Sequence, residues 1–367
     1  MADKYRIDSH KLIYHPRRVA EFLDGSDNWE TAREIYPIYV ELSPMGTCNH
    51  RCIFCAYDYI GYEPSAMEGP ALIALLREMG ELGVKSVHLA GEGEPLLHKQ
   101  IVEAINAGHE AGLEFGITTN GTVINDRFIQ EALAQVTWMK VSMNAGTAAT
   151  YSQIHRCKEG DFNKAVTNLT RAVAFKRQHA LATTIGAQAL LLPENAEELE
   201  TLAKLCRDEI GLDYLVIKPY SQHYSSNTHL YETLDYNDYL YLEELLTAYS
   251  TSDFQVIFRA KSMKKYAQPI TERYATCYST PFFQAHIMTS GELYSCPSFL
   301  KDERFLLGNV FESSFKEVWQ SEKRKANIEY VRHGLDISEC RHNCHMDQIN
   351  VYLSDLMESR VPHVNFI

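Results

Sequence analysis

The chain has 367 residues, 45% of them apolar, with 35 lysines and arginines against 48 aspartates and glutamates and a formal net charge of −13. That is long for one compact domain and gives ample material for a core. The acidic balance argues against nucleic acid or an anionic membrane surface as the main partner. The N-terminal MADKYRIDSHKLIYHPRRVAEF has no uninterrupted apolar stretch of the signal-peptide kind. IGAQALLL at 185–192, the longest apolar-leaning run, is too short to cross a bilayer. The expectation is a cytoplasmic protein, a compartment where disulfides are rare. Nine cysteines, an odd number, then call for metal, redox chemistry or burial rather than a disulfide framework.

Residues 1–37 read as an N-terminal extension. From residue 38 the pattern is regular: IYVELS (38–43) is an apolar strand, and Leu72, Leu75, Leu76, Met79 and Leu82 recur at helical spacing before Gly83. VKSVHLA (84–90), LEFGITT (113–119), WMKVSM (138–143), ATTIGAQALL (182–191) and YLVIKP (214–219) continue the strands. Helical segments near 99–111, 125–135, 161–179 and 194–209 alternate with them. Six such strands predict a parallel sheet covered by helices, either open and doubly wound or a partial barrel. Chemistry in such folds collects at the C-terminal ends of strands. CNHRCIFC, GEGEP (91–95), TTNGT (118–122) and SMNAG (142–146) fall at those ends in register. After residue 220 the chain turns polar and tyrosine-rich, then Leu242, Leu245, Leu246 and Tyr249 suggest one amphipathic helix, so 226–275 reads as a helical linker. From 276, FQAHIM, the turn Thr289-Ser290-Gly291 and ELYSC predict a hairpin. Ser314-x-x-Glu317 predicts a capping box opening a helix through Trp319.

Cys48, Cys52 and Cys55 have the spacing C-x3-C-x2-C. Structural zinc takes four ligands and catalytic zinc usually mixes histidine with carboxylate. Three thiolates on one short loop instead suit three corners of a four-iron–four-sulfur cube whose fourth iron stays open. His50, beside Cys48 on a tight loop, is expected to point away. Phe54 either shields the cluster or cofactor or packs beneath the loop.

These residues resemble the radical S-adenosylmethionine (SAM) superfamily. The resemblance covers roughly 38–220 and implies a partial (β/α)6 barrel over 38–225 that binds SAM and a [4Fe–4S] cluster. Gly91-Glu92-Gly93-Glu94-Pro95 resembles the family's GGEP motif, with Glu92 where Gly is usual. By this resemblance Gly93 and Glu94 serve the amino group of SAM, Asn120 and Ser142 its ribose or carboxylate, and Arg156 its carboxylate. A solvated arginine on a helix is the other reading of Arg156. The resemblance further implies SAM cleavage to a 5′-deoxyadenosyl radical, with the protein orienting groups and excluding water and oxygen.

Cys157 and Cys206 read as isolated buried residues. Cys277, Cys296, Cys340 and Cys344 share the last quarter of the chain, and C-x13-G-x4-C across the hairpin resembles the start of the SPASM extension of radical SAM enzymes. With only C-x3-C following, the count resembles its shortened Twitch form, a small α+β unit over 276–367 with one auxiliary [4Fe–4S] cluster, the second of the chain. Four thiolates also suit structural zinc. His342 and His345 flank Cys344 as possible replacement ligands or surface residues. An auxiliary cluster implies electron exchange with a substrate radical, giving a dehydrogenase or epimerase acting on a sugar, aminocyclitol or nucleoside. Lys218, His223 and Arg259 are positional candidates for the base. The expected partners are a small-molecule substrate and a reductant such as flavodoxin or ferredoxin, with no nucleic acid and no membrane. The alternatives are a peptide or protein modifier of the thioether-forming or sulfatase-maturase type, and a non-catalytic iron–sulfur or zinc protein. The roughly 37 residues before the first strand weigh against a peptide-recognition domain.

Overall fold

A computed structural model describes residues 3–267, 273–341, 343–358 and 362–366. Its centre is a mixed α/β sheet of ten strands, mostly parallel. The strands are β1 Tyr39–Leu42, β2 Ser86–Leu89, β3 Glu114–Thr119, β4 Val136–Ser142, β5 Thr184–Leu191, β6 Tyr214–Pro219, β7 Gln255–Phe258, β8 Gln284–Ile287, β9 Glu292–Tyr294 and β10 Leu306–Asn309. Their order is β10-β9-β8-β1-β2-β3-β4-β5-β6-β7, and β8 through β7 are all parallel. The hairpin β8–β9 and the pair β9–β10 are antiparallel.

The six expected strands carry their helices on one face, as consecutive parallel pairing requires. Alternate residues Val40, Leu42, Val87, Leu89, Phe115, Ile117, Met139, Val141, Ile185 and Ala187 are fully buried beneath that layer. Leu72, Leu75, Leu76 and Met79 pack there from the helix Gly69–Glu81. The opposite face, by the two-residue period of a strand, carries Tyr39, Glu41, His88, Thr118, Trp138, Lys140, Gln188, Lys218 and His286, and lines a lumen.

Two elements differ from the sequence reading. The segment 226–275 contains a helix, Leu242–Thr247, but also β7, whose apolar Val256, Ile257 and Phe258 are buried beside β6. A four-residue apolar run is too short for periodicity to separate strand from helix. The hairpin of the C-terminal segment is not set apart from the barrel: β8 lies parallel against β1, from Tyr39 opposite Gln284 to Leu42 opposite Ile287. The expected capping box is present, with Ser314 and Glu317 exchanging bonds ahead of the helix Phe315–Trp319.

The N-terminal residues also form part of the body. Phe22, on the helix Pro16–Gly25, is fully buried against Phe282 and Phe283, with ring centroids 5.0 and 5.3 Å apart. Tyr5 packs against Tyr214 with its ring tilted and centroids 5.4 Å apart, and Ile7 joins it against Val216 and Ile257. Asp8 accepts from Arg259 Nε (3.3 Å) and Ser262 Oγ (3.0 Å) just beyond β7. Among the described residues, no helix is long and apolar enough to cross a membrane.

Candidate active site

Leaving β1, the chain forms the loop that carries Cys48, Cys52 and Cys55. The guanidinium of Arg51 clamps it, donating to the carbonyls of Cys48 (2.6 Å) and His50 (2.7 Å) while lying 4.3 Å over the Tyr62 ring. The backbone N–H groups of Arg51 and Ile53 donate to His155 and Ile154, docking the loop on the helix Ala148–His155. Burial raises all three thiols above their ordinary pKa, Cys48 to about 11. His50 is buried and turned behind the loop, its Nε2 3.7 Å from Asp161 and its ring 5.3 Å from that of His155. Phe54 meets the His155 ring edge-on at 5.5 Å and packs partly against Ile53 and Leu190.

His155 itself was not singled out by the sequence. It is fully buried, its Nδ1 3.1 Å from Cys52 Sγ and its Nε2 3.3 Å from both Asn144 Nδ2 and the Met143 carbonyl. Burial, reinforced by His50, holds its pKa at about 3, so this imidazole is neutral.

GEGEP follows β2 against the same loop. Gly93 is required by closeness: a Cβ there would lie 2.3 Å from the Thr47 carbonyl oxygen and 2.6 Å from that of Met45. Gly91 has φ +109° and leaves no room for a Cβ beside Ser43 Oγ. The Glu94 carboxylate accepts from Thr119 Oγ1 (2.7 Å), Asn120 N (2.8 Å) and Leu96 N (3.1 Å). Three of its acceptor positions are therefore occupied within the protein, and burial lifts its pKa to about 7 against these bonds. The Asn120 side chain donates to Asn49 Oδ1 (2.7 Å) and accepts from Thr122 N and Oγ1, tying the rim of β3 to the cysteine loop.

Glu92 turns the other way. Its Oε1 accepts from Thr289 N (2.7 Å) and Thr289 Oγ1 (3.1 Å), in the turn between β8 and β9. The departure from Gly thus fastens the β2 rim to the C-terminal hairpin. Ser142 ends β4 opposite Gln188 of β5. Arg156 ends the helix Ala148–His155 in the left-handed region (φ 47°), exposed, with its charge felt by Tyr231.

The second cysteine set also gathers. The thiols of Cys296, Cys340 and Cys344 are raised by burial and by one another, Cys296 to about 12 and Cys344 to about 11, with Cys277 among the charges they feel. Cys277 Sγ donates to Thr280 Oγ1 (3.3 Å) and accepts from Asn350 Nδ2 (3.5 Å). His345 lies near Glu41, its ring 6.3 Å from that of Tyr39, and His342 lies outside the described residues. Cys206 is fully buried and Cys157 half-buried.

The donor sets can be tested for size. Among the described residues, the groups of three or more ligating side chains whose ligand atoms lie within 4.8 Å of one another are His50–Cys52–His155 and His50–Cys157–Asp161. Neither cysteine set is that tight. Tetrahedral zinc, with Zn–S near 2.3 Å, would need sulfurs about 3.8 Å apart, whereas an iron–sulfur cube holds its thiolates farther apart. The all-thiol character of both sets suits an iron–sulfur cluster.

Inside the lumen, Glu41 accepts from Tyr57 OH (2.8 Å) and Tyr39 OH (3.3 Å). His88 bonds Tyr39 OH through Nδ1 and Thr118 Oγ1 through Nε2, both at 2.8 Å. His286 is fully buried with Nδ1 3.7 Å from Glu41. Burial opposes the Glu41 charge, but His88, His286 and His345 outweigh it and hold the carboxyl well below the usual carboxylate range. Of the three candidate bases, Lys218 faces this lumen, His223 stacks on Tyr59 at 5.0 Å, and Arg259 pairs with Asp8. The signal that finds the others is a charged or imidazole residue inside an otherwise apolar strand: Glu41 in IYVELS, His88 in VKSVHLA, Lys140 in WMKVSM and His286 in FQAHIM.

Comparison with known proteins agrees with this layout. Residues 42–206 match the radical SAM superfamily and 277–345 match the SPASM iron–sulfur cluster-binding domain. The chain is 32% identical over 120 residues to a probable GTP 3′,8-cyclase of Methanothermobacter marburgensis, covering 32% of this chain and 39% of that one. It therefore spans about two fifths of that relative's length. It is 22% identical over 301 residues to the tungsten-containing aldehyde ferredoxin oxidoreductase cofactor-modifying protein of Pyrococcus furiosus, covering 78% of this chain and 81% of that one. SuiB of Streptococcus suis bound to SAM has the same fold, with TM-score 0.64 and 20% identity over 86% of this chain and 72% of that one. SuiB bound to the precursor peptide SuiA gives 0.66 and 19% over 92% and 75%. The radical SAM domain implies SAM and a [4Fe–4S] cluster, and the SPASM domain an auxiliary iron–sulfur cluster. The chain belongs to the radical SAM superfamily, with a SPASM-type cluster-binding region built onto its barrel.

Proposed function

We propose that this radical SAM enzyme takes hydrogen from a small polar substrate held in the barrel lumen and completes a dehydrogenation or epimerisation with the help of the C-terminal cysteine site. The observation that carries this reading is the lumen itself, lined by Glu41, His88, Lys140, Lys218 and His286 and lying beneath a rim built from all four polar loops. When bound, SAM and its cluster supply a 5′-deoxyadenosyl radical, and the auxiliary cluster supplies a place for an electron.

The chain's own residues divide the remaining work. Cys48, Cys52 and Cys55 would hold one cluster, and Cys277, Cys296, Cys340 and Cys344 the other. Gly93 lets the β2 rim approach the cysteine loop, while Glu94 and Asn120 keep that rim in register with β3 and Asn49. Ser142 and Arg156 stand near the remaining edge for the polar groups of SAM, and Phe54 covers the loop. Burial, followed by Lys140, Arg259 and Arg341, pulls the Lys218 amine well below its ordinary pKa. Its Nζ is thus a group able to accept the hydroxyl or amino proton that a substrate radical loses as its electron is removed. Tyr5 and Ile7 pack on the β6–β7 edge and His10 on Tyr352, which commits those residues to the barrel wall.

A peptide substrate is the second reading. The irregular segment after β6 favours it, because its Tyr224 and Leu230 stand 52% and 61% exposed. The test is anaerobic reconstitution followed by reduction with flavodoxin and mass spectrometry of 5′-deoxyadenosine. Candidate sugars, nucleosides and peptides deuterated at carbon are supplied in turn. Deuterium appearing in 5′-deoxyadenosine from a small substrate supports the proposal, transfer only from peptides favours the second reading, and no cleavage of SAM under any condition sinks both.

A further inference from the structure

We propose that His155 is a positioning residue for the SAM-binding cluster. Its Nδ1–H donates to Cys52 Sγ, Asn144 selects the tautomer that allows this, and the bond favours the reduced cluster. The proposal deepens the reading above and rests on Cys52 holding that cluster. The loop is strapped down on both sides of this thiol. Arg51 N and Ile53 N, the neighbours of Cys52, donate to the carbonyls of His155 (3.1 Å) and Ile154 (2.9 Å). The last turn of the helix Ala148–His155 thus grips the loop with its backbone and carries the imidazole to the sulfur. Nδ1 lies 3.1 Å from Cys52 Sγ, closer than the His50 N–H lies to Cys48 Sγ (3.5 Å).

Which nitrogen carries the proton follows from the partners. Among the described residues no carboxylate pairs with this fully buried ring, so it holds one proton. A free thiol gives its own proton to Nδ1, and the ring then keeps its proton on Nε2, 3.3 Å from the Met143 carbonyl. A metal-bound thiolate has no proton to give. A lone pair on Nδ1 would face its charge, so the contact is attractive only with the proton on Nδ1. Nε2 then becomes an acceptor, and a donor stands ready for it in Asn144 Nδ2 at 3.3 Å. That amide is fixed the right way round, because its Oδ1 accepts from Leu190 N at 2.7 Å. The Asn144 backbone is held too: its carbonyl accepts from Asn195 Nδ2 (2.6 Å), and its φ of 56° lies in the left-handed region that asparagine tolerates. Leu190 N–H, the Asn144 amide and the His155 imidazole therefore form one line of donors running toward the sulfur.

Hydrogen bonds to cluster sulfurs are among the levers that set an iron–sulfur potential, and they favour the more negative, reduced form. Packing keeps this one dry. Tyr151 stacks on the imidazole with ring centroids 4.2 Å apart, and Phe54 meets it edge-on at 5.5 Å. Loss of the donor should make one-electron reduction about tenfold less favourable, a shift of about 59 mV.

The experiment is a redox titration of the anaerobically reconstituted full chain, followed by electron paramagnetic resonance with mediator dyes. The SAM-binding cluster is the one whose signal changes when SAM is added. Iron and sulfide are counted on the same samples, and circular dichroism checks each fold. His155→Phe should keep its iron and lower the midpoint potential of that cluster by about 59 mV, leaving the other cluster where it was. His155→Asn, whose amide nitrogen is bonded to Cγ as Nδ1 is, should recover most of the shift. Asn144→Gly, which suits the left-handed backbone, should lower the potential with the imidazole still in place. An unaltered potential in either His155→Phe or Asn144→Gly overturns the proposal, as does an equal shift in His155→Phe and His155→Asn. Should the variants not fold, the unaltered chain decides. With isotopically labelled histidine, pulsed resonance of the reduced cluster should show a coupled ring nitrogen, and its absence overturns the proposal. Full iron retention in Cys52→Ala removes the ligand assignment and the proposal with it. Iron loss in Cys52→Ala beside an unaltered potential in His155→Phe removes the role of His155 alone.

Discussion

Removing a single thiol should separate the two cysteine sets. Cys52→Ala is expected to abolish 5′-deoxyadenosine formation and to lower bound iron by about four per chain. Cys296→Ala should lose iron from the other site, spare part of SAM cleavage and block turnover; iron and sulfide analysis with product quantitation reads both. His155 sits 3.1 Å from Cys52 Sγ, and no residue spacing in CNHRCIFC announces it, because the helix that brings it there lies a hundred residues downstream. The two cluster-binding regions were legible because cysteine spacing is a local property of the chain. The functions of Glu94 and Glu92 were not: the motif fixes where they stand, but only tertiary contact shows that one carboxylate holds Thr119 and Asn120 while the other holds Thr289.

Elements give the next set of outcomes. The Glu92–Thr289 contact joins the β2 rim to the β8–β9 turn, so a double-mutant cycle of Glu92→Gln and Thr289→Val should give a coupling of about 1–3 kcal/mol in urea unfolding. A coupling near zero would mean the hairpin docks through β1 alone. Ser314→Ala removes a reciprocal cap and should cost about 1 kcal/mol. The six alternating strands were legible because each pairs with its neighbour in sequence order through a helix. β7 was hidden by its length, and the place of β8 by its partner: nothing in FQAHIM states that it will lie beside a strand some 240 residues earlier rather than only beside its own hairpin mate.

At the scale of the molecule, Arg324 joins three parts of the chain. Fully buried, it donates to the carbonyls of Ala32, Ile35, Pro281 and Trp319 at 3.1–3.2 Å and lies 4.1 Å over the Trp319 ring. Arg324→Met would take the guanidinium donor from all four carbonyls, of which Ile35 and Ala32 keep a bond from Trp319 Nε1 and Ile35 N, and should cost about 3–5 kcal/mol, read as a shifted urea midpoint. The same junction explains why the extension before β1 reads as a tail in sequence yet is wall in the structure: its apolar residues have partners only far along the chain, Phe22 where β8 begins and Tyr5 and Ile7 at β6 and β7. The pairing of β8 with β1 has a consequence of its own. The loop of Cys48, Cys52 and Cys55 leaves β1, and Cys277 and Cys296 flank the hairpin that starts at the adjacent β8, with strand backbones about 4.8 Å apart. The offset between these regions is then written into a hydrogen-bond ladder, and a register slip, which would reverse the faces of β8, would shift one against the other. A chain ending before β8 would bare the edge of β1 and invite self-association, so the cluster-bearing region cannot be trimmed away as an accessory: its first strand covers that edge of the sheet.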